Sequence, residues 1–574
     1  MAQVVDALSE LKYDRLSIVP LGGQSEIGQV LWAISYAGEI LLIDAGACYP
    51  PTDLPGVDLM LPNTNFLSVH RDRISALLLT NGHEEHCGAI GYVLDNLKIK
   101  RVFAPRFVSA LVSQTLAASE KKYDTVIDTV EPRHEYQIGV FSVEWIRVND
   151  AIADACALKI NTPEGVVLYT SSFKLDQTPV DNRLMDIGRF AQLGDSGITV
   201  LISDSAGTEN RGYTPSEKAV TDGLHATIDG ASGRVIVVMN GTNTHRLQIL
   251  FDIAKEAGRK VVLYGDVLVQ TVVAALTTGN LSYDRSIEAT LQDLEKLPHQ
   301  DALIIATGRD GDALGLMQEL AFGKRDDFAI ERGDVVVFSE EIYPGQSRKV
   351  ATIQDQLLTL GIDAVIGSKA GVHVTNHAGQ EELKMVLSIT KPQFFVPAIG
   401  EGRHIKHHGR LAMECGVPPE NVFTVRNGTV IEIFNNSAAI AGSIESEAVF
   451  FNRNQAESVT RFSVSERRSL SNEGVITIAC MLDSQWKMVQ PPTMEGAALG
   501  FVHSQDWKAT RKELVNNIID AISRHSAVPN ADLTSLRAAV REVAGKTIRS
   551  KMQSKPTINI VLHQVDPARA QSGG

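Results

Sequence analysis

Residues Leu77 to Gly88 read L-L-L-T-N-G-H-E-E-H-C-G, an apolar run that stops at Thr80 and turns at once into a cluster of histidines and acids. A strand of Leu77, Leu78 and Leu79 that ends this way offers His83, Glu85 and His86 at spacings short enough for one ion or an ion pair. Loops anchored on strand ends hold such donors rigidly, so metal chemistry is expected here.

The flanking sequence says what carries this loop. Leu16 to Gly46 alternates short β-rich runs (S-I-V-P-L, V-L-W-A-I-S-Y, I-L-L-I-D-A) with glycine turns, the pattern of antiparallel strands. After the histidine loop, Ala89 to Leu97 reads as helix, Val102 to Ala104 as the start of a strand, and Val108 to Lys122 as a second helix. From Thr214 to about Ala364 strand and helix patterns alternate, V-I-V-V-M, H-R-L-Q-I-L-F-D-I-A-K-E-A, V-V-L-Y-G and D-A-L-I-I-A-T-G. That order predicts an α/β region with a parallel sheet. Ser443 to Glu473 is polar and irregular and reads as a linker. Beyond it come a strand over Gly474 to Leu482, amphipathic helices over Trp507 to His525 and Asp532 to Lys551, and a final strand I-N-I-V-L-H-Q-V. The first of those helices carries Leu514, Ile518, Ile519 and Ile522 on one stripe. The tail A-R-A-Q-S-G-G is expected to be disordered.

A chain of 574 residues with 44% apolar residues predicts a globular protein of about three to four domains. No run of about 18 apolar residues is present, and the start, Met1 to Arg15, is mixed and acidic, so a cytoplasmic address and no membrane partner are expected. Five scattered cysteines, Cys48, Cys87, Cys156, Cys415 and Cys480, contain no C-x-x-C pair and suit a reducing compartment. The net charge of −14 has the wrong sign for a surface that attracts a polyphosphate, so any RNA partner needs a local basic groove. The densest basic patch is G-R-H-I-K-H-H-G-R, with Arg403, His404, Lys406, His407 and His408.

The histidine loop resembles the T-H-x-H-x-D-H-x-G signature of the metallo-β-lactamase superfamily, and further motifs follow in the order of its ribonuclease J branch. Asp44 in L-L-I-D-A-G matches the Asp that braces the histidine loop, and T-S-S-F-K resembles T-G-D-F-K. V-L-I-S-D-S, with Asp204, resembles the first acidic motif of the inserted β-CASP domain, and G-T-N-T-H-R, with His245 and Arg246, matches its N-x-H-R loop. T-G-R-D-G-D stands where that family has T-G-S-Q-G-E, and G-V-H-V-T-N-H-A-G-Q-E keeps His373 and His377. The resemblance covers roughly residues 14 to 566. It implies a metallo-β-lactamase αββα sandwich split into 14–205 and 365–445, a β-CASP α/β domain over 206–364, a linker over 446–473, a small α+β oligomerisation-type domain over 474–566 and a tail over 567–574.

In that family seven side chains hold two divalent ions whose bound hydroxide attacks a phosphodiester. The corresponding positions here are Asn81, His83 and Asp150 for one ion, Glu85, His86 and Ile399 for the other, and Ser172 for the bridging carboxylate. Only His83 and His86 are unchanged, and an isoleucine has no lone pair to give. The expectation is therefore a ribonuclease J-like pseudoenzyme with no metal, with Asp204 and His377 as vestigial catalytic residues, acting through assembly. Its partners would be copies of itself, as a dimer or tetramer, an active ribonuclease J or another RNA-machinery protein. One alternative is an active metal-dependent exo- or endoribonuclease with a remodelled site, one Zn or Mn ion among His83, Glu85, His86 and Asp150. Another is a non-cleaving RNA-binding protein using His245, Arg246, His373, His377 and the basic patch, with RNA weakly held.

Overall fold

The computed structural model describes residues 14–50, 54–308, 311–342, 346–452, 457–501, 504–527 and 532–565. The chain divides into two compact units, Met1–Pro51 with Leu59–Val449, and Thr52–Asp58 with Phe450–Gly574.

The first unit is built on two mixed sheets. In the eight-stranded one, Leu16–Gly22, Leu31–Tyr36 and Glu39–Ile43 form the expected antiparallel ribbon, and Ile74–Leu78, Arg101–Pro105 and Val126–Val130 continue it in parallel. In the six-stranded one, Phe141–Arg147, Cys156–Thr162 and Gly165–Tyr169 are antiparallel, with Val200–Asp204 and Phe394–Ala398 added in parallel. One core joins the sheets: Trp32, Leu41 and Ile43 from the first and Trp145, Leu158, Tyr169 and Ile202 from the second are completely buried together. Each such side chain contributes roughly 1.5–3 kcal/mol of burial free energy. Helix Arg106–Ala118 packs on the first sheet, and helix Gly402–Glu414 on the second.

Between Val200–Asp204 and its direct neighbour Phe394–Ala398 the chain leaves to build a third, all-parallel sheet. Its order is Glu288–Ala289, Lys260–Tyr264, Ala302–Ala306, Val235–Met239, Val335–Ser339, Asp363–Ile366. Parallel neighbours need crossover connections, supplied here by helices such as Thr244–Glu256 and Asp266–Thr278. With both faces covered, Val235–Met239 and Ala302–Ala306 are buried along their whole length, so they read as continuous apolar runs.

In the second unit Val475–Leu482 is central, antiparallel to Thr493–Ala497 and parallel to Thr557–Gln564. Helices Gln505–Ser526 and Leu533–Met552 bury Leu514, Ile518, Ile522, Leu536 and Val540 in one core with this sheet, and Ile519 sits half-buried beside that stripe. The stretch expected to be an irregular linker contains regular elements among its described residues. Val449–Asn452 pairs with Glu457–Val459, and Arg461–Glu473 is a helix capped by Thr460, whose side chain accepts from the Ser463 amide. Only Val464 of that helix is fully buried, so it has no apolar stripe by which the sequence would reveal it. The tail 567–574 lies outside the described residues. Among the described residues no helix is long and apolar enough to cross a membrane.

Candidate functional site

The histidine loop follows Ile74–Leu78, and the Trp145 indole N–H donates to the Leu79 carbonyl at 3.0 Å, tying the strand end to the opposite sheet. His83 leads into the single turn Glu84–Cys87. The carbonyls of Glu84, Glu85 and His86 accept from the amides of Ala47, Val30 and Ala45. Gly46 is required here, because a Cβ would run into the Glu85 carbonyl. Asp44 braces the loop: its carboxylate accepts from the Thr80 amide and hydroxyl at 2.9 Å, the Tyr169 hydroxyl at 3.1 Å and His86 Nδ1 at 2.8 Å. Burial, with the adjacent Asp44 carboxylate, lifts the Tyr169 phenol well above its ordinary range and keeps it a donor.

Asn81, His83 and Asp150 come together and satisfy one another. Asn81 Nδ2 donates to Asp150 Oδ2 at 2.7 Å, and Asp150 Oδ1 stands 3.1 Å from His83 Nε2. The same carboxylate accepts from Asn376 Nδ2 at 3.0 Å and from the Ala151 amide at 2.5 Å. Burial works against a charge on His83, but the Asp150 carboxylate outweighs it, with Glu85 and Glu84 adding, and the imidazole is held up at about 9. Burial likewise opposes the Asp150 charge, and the His83 cation overrides it, holding the acid well below its usual range. His83 Nδ1 is 2.7 Å from the Thr242 hydroxyl, which itself donates to Asn240 Oδ1 at 2.6 Å. Both ring nitrogens of His83 therefore face acceptors, the arrangement of an imidazolium.

The other half is closed in a different way. His86 Nε2 lies 2.8 Å from the Ser172 hydroxyl, while its Nδ1 is held by Asp44. Ile399 is 1% exposed and adopts a left-handed φ of 51°, its amide donating to the Gly23 carbonyl at 2.9 Å and its carbonyl accepting from Ser205 at 3.1 Å. A β-branched residue in that region is strained. Glu85 is half-buried, as is Glu84, which burial lifts to about 7 against the pull of His83. These residues do not fit a two-ion centre. Asp150 has its oxygens occupied by four donors, both His83 nitrogens point at acceptors, the His86 lone pair meets a hydroxyl, and Ile399 offers no ligand atom.

The other sequence-derived candidates are also engaged internally. Arg246, 1% exposed, donates from Nε and Nη2 to Glu217 Oε1 at 2.8 and 2.5 Å and from Nη1 to the Ser339 carbonyl at 2.6 Å. Lys174 adds a second cation 3.5 Å from Glu217 Oε2. Burial would raise Glu217, but Arg246, Lys174 and His373 hold it down at about 2. His373 Nε2 is 3.1 Å from Glu341, His377 Nδ1 is 2.8 Å from Asp204, and His245 is buried with Nε2 3.7 Å from Asp181. Burial opposes the charge on His377, yet Asp204 overrides it and keeps the ring at about 9. In the basic patch, Arg403 pairs with Glu401 and Glu209, His404 stands 3.3 Å from Glu209, and His408 is fully buried beside Ser205. Arg309 and Asp310 of the T-G-R-D-G-D loop lie outside the described residues. Sequence reasoning missed Thr242, Asn376, Lys174 and Glu217. The first three sit inside quoted motifs, while Glu217 gave no signal.

Two facing sheets with helices outside, interrupted between neighbouring strands by a parallel α/β insert, define a metallo-β-lactamase fold carrying a β-CASP domain. The family model for the ribonuclease J β-CASP domain matches residues 232–357, and that for the ribonuclease J C-terminal domain matches 462–565. Ribonuclease J of Synechocystis sp. is 32% identical over 561 residues, 96% of this chain and 87% of that one. Ribonuclease J of Mycolicibacterium smegmatis is 31% identical over 545 residues, 95% and 96% of the two chains. Ribonuclease J2 of Bacillus subtilis is 28% identical over 553 residues, 96% and 99%. The chain belongs to the ribonuclease J family. A crystal structure of a protein of unknown function from Enterococcus faecalis V583 has a similar fold, with a TM-score of 0.51 at 14% identity over 73% of this chain and 100% of that one.

Proposed function

We propose that this chain is a ribonuclease J-like subunit that does not cleave RNA by metal chemistry and acts through assembly. The observation that carries this reading is the state of Asp150, whose carboxylate is filled by Asn81, His83, Asn376 and its neighbouring amide. An imidazolium at His83 supplies the positive charge that an ion would supply in the parent design, and it does so without a Lewis acid. Ile399 supports the same reading, since a dication beside it would lack part of its shell. The intact fold suits a role in contacts with copies of this chain, with an active ribonuclease J, or with another protein of the RNA machinery, in the cytoplasm.

The test is elemental analysis of protein purified without chelators, paired with an RNA cleavage assay in Mn²⁺ or Zn²⁺. We expect no stoichiometric metal and no cleavage. Cleavage that Glu85→Ala abolishes would overturn the reading.

A second reading is favoured by the relatives, which are ribonucleases by name and align over nearly the whole length of this chain. Under it, one Zn or Mn ion displaces the His83 proton and draws on His83, Glu85, His86 and Asp150. About one metal per chain, lost in His83→Ala with His86→Ala, would establish it over the first.

A further inference from the structure

Ser172, His86 and Asp44 stand in line. Ser172 Oγ is 2.8 Å from His86 Nε2, and His86 Nδ1 is 2.8 Å from Asp44 Oδ2. Asp44 cannot turn away, because Thr80 and Tyr169 hold its remaining acceptor positions. With Nδ1–H committed to that carboxylate, the Nε2 lone pair faces the serine hydroxyl, the tautomer being set by the hydrogen-bond network. This is the order nucleophile, base, orienting acid, which is recognised by geometry and roles and not by position in the chain. Ser172 follows a left-handed residue, Ser171 at φ 59°, just past the end of strand Gly165–Tyr169, so its side chain is presented from a tight bend off a rigid strand.

We propose that Ser172, His86 and Asp44 form a metal-independent serine hydrolase site for a small, uncharged carboxylic ester. The proposal rests on the reading that no ion occupies His86. Two features choose the substrate. Asp150 is matched by the His83 imidazolium, which leaves Glu84 and Glu85 as the uncompensated acids of the histidine loop, and these disfavour a phosphodiester anion. Ser172 is only 2% exposed, which excludes a bulky acyl group at Oγ.

In the first half, Oγ bonds to the carbonyl carbon as its proton passes to His86 Nε2, and the carbon–oxygen bond to the alcohol then breaks, the alcohol leaving with that proton. In the second half, water gives a proton to Nε2 and its hydroxyl to the acyl carbon. The bond between the acyl carbon and Ser172 Oγ then breaks, the acid departs, and the proton on Nε2 returns to Oγ. Ester and water become acid and alcohol, with no other reactant. Asp44 is a positioning residue throughout.

The test is p-nitrophenyl acetate with the full chain in EDTA, read both as released nitrophenol and as acetylated peptide in the mass spectrometer. We expect one acetyl group on Ser172 and turnover that falls about a hundredfold or more in Ser172→Ala and in His86→Gln. Asp44→Asn should lower kcat with KM unchanged, because an amide donor reverses the imidazole tautomer. If Ser172→Ala is misfolded by circular dichroism, Ser172→Cys, which keeps the shape, should take the acetyl group on sulfur. A folded, metal-free wild-type protein with Ser172 unacetylated overturns this proposal and leaves the assembly reading standing. Stoichiometric metal found before EDTA treatment overturns both.

Discussion

His83 and Asp150 form a buried ion pair, Nε2 to Oδ1 at 3.1 Å, with side chains 4% and 0% exposed. Such a pair is weak evidence of stability when whole, but removing one partner leaves the other charge uncompensated in the interior. Asp150→Ala should therefore cost about 3–5 kcal/mol, read as a lowered thermal midpoint. Asp150→Asn should cost less, since its amide oxygen still accepts from His83. A double variant, His83→Leu with Asp150→Leu, should recover much of the loss, because no isolated charge remains. If Asp150→Ala melts with the wild type, the pair is not organised as described.

The Glu217 cluster gives a pH dependence at the acid end. Glu217 is completely buried and is held at about 2 by Arg246, Lys174 and His373 against the cost of burial. Its folded value lies below the ordinary 4.5 of the unfolded chain. The stability it contributes is therefore fully present above pH 4.5 and is lost as the pH falls from there toward about 2. Glu217→Gln should flatten that limb of a plot of thermal midpoint against pH. Arg246→Ala should destabilise by about 3–5 kcal/mol at neutral pH, because it strands the carboxylate.

His408 titrates in a higher window. Burial, with His407 nearby, pushes its imidazole down to about 3 from 6.5, so the folded protein holds it neutral. The unfolded chain binds that proton near pH 6.5, and stability is lost as the pH falls from 6.5 toward about 3. His408→Gln should remove this slope while leaving the Glu217 limb in place. A thermal midpoint whose slope between pH 6.5 and 4.5 is the same in wild type and variant would show that His408 is not the group responsible.

Much of this architecture was legible because period and turn chemistry are local. The Val235–Met239 and Ala302–Ala306 strands announce a covered parallel sheet by being apolar throughout, and Leu514 and Ile518 announce a packed helix by their spacing. Helix Arg461–Glu473 was hidden, since a single buried valine carries no period. At the site, the motif resemblance gave the expectation of altered ligand positions, but not that Asn81, His83, Asp150 and Asn376 would bond to one another. Asp150 and Asn376 are 226 residues apart, and Glu217 meets Arg246 and Lys174 only through the fold. The basic patch illustrates the opposite error. A run of Arg403, His404, Lys406, His407 and His408 reads as one charged face, yet on a helix the residues four apart, His404 and His408, are the buried ones.

Restoring the ligands is the most demanding prediction. If the pocket differs from an ion-holding one only in its donors, then Asn81→His, Asp150→His, Ser172→Asp and Ile399→His together should recover metal, since Asp44 already orients His86 and the backbone ties of the loop are in place. The histidines would remove the carboxylate that now keeps His83 protonated, freeing its lone pair, and Ser172→Asp would return a bridging acid. The single change Ile399→His should do little by itself, because Asp150 would still hold the His83 proton. The expected outcome is about two Zn or Mn ions per chain by elemental analysis in the quadruple variant, with a higher thermal midpoint in added metal, and none in Ile399→His alone. A folded quadruple variant that takes up no metal would mean that the backbone around the pocket has also moved away from the ion-binding geometry.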